Sequence, residues 1–323
     1  MKSPNSVYQY LIVGLLVIGT ASLPVWGNGY LIRIGFNVIM FATLAMSWNL
    51  IGGMTGYPSF GHVGFFGLGA YTVGIAMTSI QLPFWLSLGL VVPASLIFAA
   101  VLYPILRLKS HYFAIATLVS AECIREAANL LGVTGGPNGI GLPLPEAGQF
   151  QTYLFFYETM LAVLLLVLLV SLWIKRHRLG LALVSIREDE DTAQTMGINT
   201  PRCKFYALAV SALFSALPGG IYAYWMSYID PGSVFPISIS VTMILMVLLG
   251  GAGTLFGPIL GALLLEGIGN VLWSAFPELH MATLGMLIVV TVIYLPQGVL
   301  PSLGRFDRFI RKWRGHTVLS RNG

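Results

Sequence analysis

About ten runs of roughly 20 mostly apolar residues follow one another along this chain, and each is long enough, as a helix, to cross the hydrocarbon core of a bilayer. They fall near 8–26, 31–51, 60–80, 83–106, 112–131, 152–174, 205–228, 235–250, 256–276 and 281–297. In lipid the backbone N–H and C=O groups have to be satisfied internally, so such runs form helices. The two shortest runs leave room for a tilted, broken or re-entrant segment. Composition excludes a water-exposed body: 9% of the residues are charged, against roughly 25% in a soluble domain, while 56% are hydrophobic and mean hydropathy is +0.82. Lys2 and the first run have the pattern of a secretory signal, but no small-x-small cleavage site follows, so 8–26 is read as a retained span. The expected fold is all-α, a polytopic transmembrane helical bundle forming one domain over 1–323.

The basic residues orient that bundle. Of the 17 Lys and Arg, 15 lie at Lys2, at Arg107 and Lys109, between Lys175 and Lys204, and between Arg305 and Arg321; Arg33 and Arg125 are the exceptions. Cytoplasmic loops carry the excess of Lys and Arg. Placing those clusters inside gives about ten spans with both termini cytoplasmic. The loops at 132–151, 229–234 and around 278 then fall outside, and none carries Lys or Arg. The net charge of +5 therefore reflects topology and implies no nucleic-acid surface. Cys123 lies mid-span and Cys203 in a cytoplasmic stretch, so no disulfide framework is implied.

Residues 175–204 form a cytoplasmic loop of about thirty residues, longer than the usual link between elements. Within it lies GLALVSIREDEDTAQTMGINTPR, 180–202. Ser185 and Glu188 have capping-box spacing. Glu188, Asp189 and Glu190 crowd what would be the first turn, where the helix dipole favours negative charge. Gly197 supplies a left-handed stop and Pro201 prevents continuation. A short capped helix over Ile186–Met196 is expected, lying off the membrane. It is either a solvated connector or a docking element, and the length of the loop favours docking. A second basic stretch, 302–323, forms a cytoplasmic tail.

Inside the spans, SFGHVGFFGLGAY (59–71) carries Gly61, Gly64, Gly67 and Gly69, and Gly253, Gly257 and Gly261 recur every fourth residue later on. Such spacing lets helix backbones approach closely in lipid. Ser59, Phe60, Gly61 and His62 mark an expected helix break; His62 is either on a translocation path or satisfied by a neighbour. Glu122, Arg125 and Glu126 fall within one run, and Glu122 and Arg125 share a helix face. They read equally as a structural ion pair or as part of a path, and are expected to face protein or a cavity. Glu266 is a further carboxylate within a span. VTGGPNGIG (133–141), with Asn138, is a Gly-rich turn on the outer side, either a docking loop or a connection. One internal echo pairs LIGGMTGYPSFG (50–61) with LLGGAGTLFG (248–257). It is either a repeat of the kind transporters use or chance likeness of glycine-rich segments.

The chain has no phosphate-cradling G-x-x-x-x-G-K-[ST] loop, so no ATPase of its own. Its histidines lack metal-ligand spacing, and no nucleophile elbow occurs. No cofactor is expected to bind this chain.

Taken in order, SFGHVGFFGLGAY, YFAIATLVSAE, TGGPNGI, SIREDEDTAQTMGIN, LLGGAGTLFGPILGA and YLPQGVL (294–300) resemble the branched-chain amino-acid permeases of ATP-binding-cassette importers, of the type paired with a second, homologous permease. The resemblance runs from about residue 36 to 300. It implies an importer-type helical permease in a bacterial inner membrane. The assembly it implies holds two permeases, two ATP-binding subunits carrying ATP-Mg, and an external solute-binding protein. It assigns ATPase coupling to the stretch holding Ser185, Ile186, Arg187, Glu188, Asp189, Glu190, Ala193, Met196 and Gly197. Ser59, Phe60, Gly61, His62, Glu122, Arg125 and Asn138 are the candidates for the path or a helix break. Pro58 departs from the aliphatic residue common in relatives.

Three functional classes remain open at this stage. An importer permease fits the motif set, with leucine, isoleucine and valine as default substrates and other amino acids, amides or urea as alternatives. An ion-coupled secondary transporter could use the charged residues within the spans. A membrane enzyme or scaffold lacks any supporting catalytic group.

Overall fold

A computed structural model of the chain describes residues 29–145, 148–275, 285 and 298–300, with the side chains of 268 and 270–275 left aside. The expected first span, most of the expected last one at 281–297 and the basic tail lie outside the described residues. The helices are α1 (Gly29–Trp48), α2 (His62–Thr78), α3 (Phe84–Val101), α4 (Ser110–Leu130), α5 (Gln149–Arg176), α6 (Arg178–Glu188), α7 (Glu190–Thr195), α8 (Thr200–Met226), α9 (Pro231–Val234), α10 (Ile237–Gly250) and α11 (Gly257–Ala275). A five-residue π-helix, Asn49–Gly53, extends α1, and a 3-10 turn, Tyr103–Arg107, follows α3. The described sheet is a ribbon of β1 (Ile140–Gly141) and β2 (Tyr228–Ile229).

Among the described residues, five helical stretches are long and apolar enough to cross a membrane: 29–53, 84–101, 149–176, 200–226 and 231–250. Each coincides with an expected span. The rest of the expected set is partly borne out as helices, in α2, α4 and α11. Large apolar side chains on α3 (Trp85, Leu86, Ile97, Val101) and α5 (Leu166, Leu169, Trp173) stand exposed. Water would penalise such faces, and hydrocarbon accepts them.

The first described helix, α1, is central and packs on α5, α8, α10 and α11. The most extensive helix packing is between α2 and α8, and small residues permit it. A Cβ on Gly69 would collide with the Ala216 carbonyl, and one on Gly219 with the Phe66 carbonyl. The later glycine series does the same work between α10 and α11, where a Cβ on Gly261 would strike the Met246 carbonyl. Many span hydroxyls bond back to the preceding turn, as Thr43 does to Ile39 O (2.8 Å) and Thr159 to Phe155 O (2.7 Å). That removes the cost of a bare polar group in an apolar interior.

The loops sort by end. At one end, β1 and β2 pair antiparallel, Leu142 N–H donates to Ser227 O, and the Tyr228 hydroxyl donates to Asn138 O (2.7 Å). These are the loops expected outside. At the other end, the 49–58 and 251–256 turns, the 103–107 turn and α6–α7 meet through Arg187, Asn49 and Lys204. Of these, the 103–107 turn and α6–α7 belong to the basic stretches expected inside.

Candidate functional site: the coupling segment and the glycine turns

The segment after α5 departs from its expected form. The sequence leads one to expect a single helix over Ile186–Met196, opened by a Ser185–Glu188 capping box. The structure instead has helix from Arg178 to Glu188, a break at Asp189 and a second, shorter helix from Glu190. The apolar period Leu179, Leu183, Ile186 already belongs to α6, so Ser185 lies inside that helix. Its hydroxyl donates to Leu181 O (3.0 Å) and caps nothing. Asp189 is the cap, in extended backbone (φ −161°), accepting the Thr192 N–H at 2.6 Å. That bond holds the Asp189 carboxyl below the usual carboxylate range. Glu190 and Asp191 occupy the first turn of α7, where the dipole favours them. The expected left-handed stop is present: Gly197 has φ +85°, Ile198 N–H bonds Ala193 O, and Gly197 N–H bonds Gln194 O. This is a Schellman closure.

The segment has two faces. Leu183, Ile186 and Ala193 are buried against the bundle, while Leu181, Val184 and Met196 are exposed, Met196 by 80%. Glu188 is exposed beside them. The inner face is bolted down by Glu190. Its carboxylate pairs with Lys204 Nζ at 2.5 Å, accepts from Thr200 Oγ1 (2.8 Å) and accepts from the Tyr57 hydroxyl. Lys204 is 1% exposed, and its ammonium lies 3.6 Å from the centroid of the Tyr57 ring. A buried ammonium needs this set of partners. The sequence reading missed Lys204, Tyr57 and Thr200. The available signal was a lysine set inside the first apolar turns of a span.

The two echoing glycine segments meet in space. Asn49 Nδ2 donates to Thr254 O (2.8 Å), and Gly253 N–H donates to Asn49 Oδ1 (2.8 Å). Arg187 Nη1 donates to Gly53 O (2.8 Å).

The candidate path residues fall in three separate places. Ser59, Phe60, Gly61 and His62 sit where the chain leaves helix between the π-helical turn and α2. Several polar groups of this break are covered: Phe60 N–H bonds Thr117 Oγ1, Ser240 Oγ donates to Phe60 O, and Trp48 Nε1 donates to Ser59 O. His62 is fully buried, with Nδ1 3.0 Å from Ser59 Oγ and Nε2 2.6 Å from Ser211 Oγ. Ser211 spends its hydrogen on Ser47 O (2.6 Å), so it accepts from His62. The ring is therefore the Nε2–H tautomer, and Ser59 donates to Nδ1. It joins α1, α2 and α8. Glu122 and Arg125 form the expected pair, Nε to Oε2 2.9 Å, with Glu126 at 3.4 Å. Both partners are about two-fifths exposed, on a face of α4 that the described residues leave uncovered. Asn138 lies at the opposite end of the bundle from the coupling segment, in the ribbon loop. Among the described residues no His, Cys, Asp and Glu group could hold a metal ion.

A bundle bearing this segment matches, over residues 30–292, the family described as branched-chain amino acid transport system / permease component. The chain belongs to that family. This permease is 31% identical, over 92% of its own length and 76% of the relative's, to the high-affinity branched-chain amino acid transport system permease protein LivM of Salmonella typhimurium. The Escherichia coli LivM is 30% identical over the same shares. Similarity extends, at 22% identity over 80% of this permease, to the E. coli permease protein LivH. This permease is therefore a multi-pass membrane transport subunit.

Proposed function

We propose that this permease is the membrane-spanning subunit of an ATP-driven importer that moves leucine, isoleucine and valine into the cytoplasm. It pairs with a second, homologous permease, docks two ATP-binding subunits that carry ATP-Mg, and receives substrate from an external solute-binding protein. Both termini are cytoplasmic, and about ten spans cross the membrane, as the basic loops require.

The observation that carries the proposal is the build of residues 178–197. A two-part helix capped at Asp189 and closed at Gly197 is stiff, bolted to the bundle on one face, and bare on the other at Leu181, Val184 and Met196. A partner pressing on that face would move the bundle, whereas a slack loop would absorb the push. The names of the LivM and LivH relatives point to the substrate and to the paired permease. The uncovered face of α4 suits the second permease, because ionised Glu122 and Arg125 are costly against lipid and belong against protein or in a water-filled path.

The test is co-expression with candidate ATP-binding subunits, purification, and reconstitution with the binding protein. Leucine uptake that requires ATP and all subunits is the expected result. Uptake by the permease alone, driven by a proton gradient, would replace the importer with a secondary transporter. Uptake of an amide or urea in place of leucine would move the substrate and leave the importer intact.

A further inference from the structure

We propose that Arg187 is a positioning residue for transport: it couples the 178–197 segment to the paired glycine turns, and so to the inner ends of α1 and α10. The role rests on the importer reading above.

Arg187 stands in the last turn of α6; the residue is exposed, but its guanidinium reaches back to the bundle. Its guanidinium Nη1 donates to Gly53 O at 2.8 Å, at the end of the π-helical extension of α1. Its stem lies along Gly56, where a Cβ would stand 3.2 Å from Cγ. Its guanidinium also fills the space that Gly253 leaves, since a Cβ there would collide with Nη1. One side chain thus touches both members of the sequence echo. Asn49 fastens those same two turns to each other through Gly253 N–H and Thr254 O. A Cβ on Gly53 would sit 2.7 Å from Gly253 N, so the two turns are in direct contact.

The two inner attachments of the segment differ in kind. Glu190 sits in a buried ion-pair cluster on α8, and breaking such a pair strands a buried charge. Arg187 makes a hydrogen bond from a partly exposed fork to a neutral carbonyl, a contact that can be exchanged as the segment shifts. Glu190 therefore acts as a fixed anchor, and Arg187 as the arm that reaches the turns. A guanidinium suits this role because it presents several donors in a rigid plane. A π-helical turn beside left-handed glycines is a place where a helix end can change conformation. Gly53 ends the π-helical turn on one side of the contact, and Gly253 is left-handed on the other.

The experiment uses the full reconstituted complex with its binding protein and leucine. Uptake and ATP hydrolysis are measured together, and their ratio is compared for the parent, Arg187→Ala and Arg187→Lys. The expected result is a ratio lowered at least about fivefold in Arg187→Ala, the lower end of ordinary coupling between two sites. The ATP-binding subunits should still co-purify. Arg187→Lys should recover part of the ratio, because one donor still reaches Gly53 O. An unchanged ratio in Arg187→Ala overturns the proposal. So does loss of the ATP-binding subunits from an otherwise intact variant, which would make Arg187 a docking contact. If Arg187→Ala fails to assemble, Arg187→Lys decides alone: an intermediate ratio supports the role and a parental ratio overturns it. Absence of ATP-dependent uptake in the parent is a different failure, because it removes the importer reading whatever the variants do.

Discussion

Asp189 does at the residue scale what Ser185 and Glu188 were expected to do. Its carboxylate takes the Thr192 N–H, and that bond depresses its pKa. A depressed folded-state pKa contributes stability that is present above the ordinary Asp value and is lost as pH falls through the lowered one. Hydrogen exchange at residues 190–196, normalised to the intrinsic rate at each pH, should therefore quicken on acidification in the parent. In Asp189→Ala it should be fast at neutral pH already and show no such acid step. Ser185→Ala combined with Glu188→Ala should leave that exchange at the parent rate, and faster exchange there would return the cap to Ser185. The misreading has a local cause. Ser-x-x-Glu spacing is the same whether the serine opens a helix or rides within one, and only the apolar period upstream, from Leu179, tells the two apart. Gly197 was legible because few residues other than glycine tolerate φ near +85°.

At the scale of elements, the spans could be read to within a few residues, because apolar length determines them without help from partners. Contacts between elements were not legible. Nothing in the spacing of Glu190, Thr200, Lys204 and Tyr57 announces that four side chains from three stretches close one cluster. The echo at 50–61 and 248–257 was visible, but its meaning needed Asn49 and Arg187 in place. The cluster makes a testable junction between α7 and α8. Lys204→Met strands a mostly buried carboxylate, a loss of about 3–5 kcal/mol where one partner of a buried pair is removed. Lys204→Met with Glu190→Gln should recover much of it, as measured by thermal unfolding of the purified complex. A double variant no more stable than the single one would show that packing of the lysine stem, and not charge, holds the junction.

For the whole molecule, the ribbon loops pair at one end, and the turns held by Arg187, Asn49 and Lys204 gather at the other. What the lone chain does not cover is equally informative. The Glu122–Arg125 pair lies open on α4, and an ionised pair cannot remain open to lipid. In the proposed importer, Arg125→Ala should harm assembly and leucine uptake more than replacement of Glu122 and Arg125 together by apolar residues. The single change leaves a carboxylate without its partner. Parental uptake in Arg125→Ala would place the pair in open solvent instead.

The ribbon joining Ile140–Gly141 to Tyr228–Ile229 has a mechanical corollary. Rods tied together at one end and pushed at the other can only swing about the tie. At 1.5 Å per residue, α8 is a lever of about 40 Å, so a swing of about 5° carries its Lys204 end about 3.5 Å sideways. With 14 residues, α10 is about half as long and travels about half as far for the same angle. In the importer proposed above, a push on the coupling segment would give unequal strokes about that tie and open a wedge, wide at the end the segment grips and closed at the ribbon.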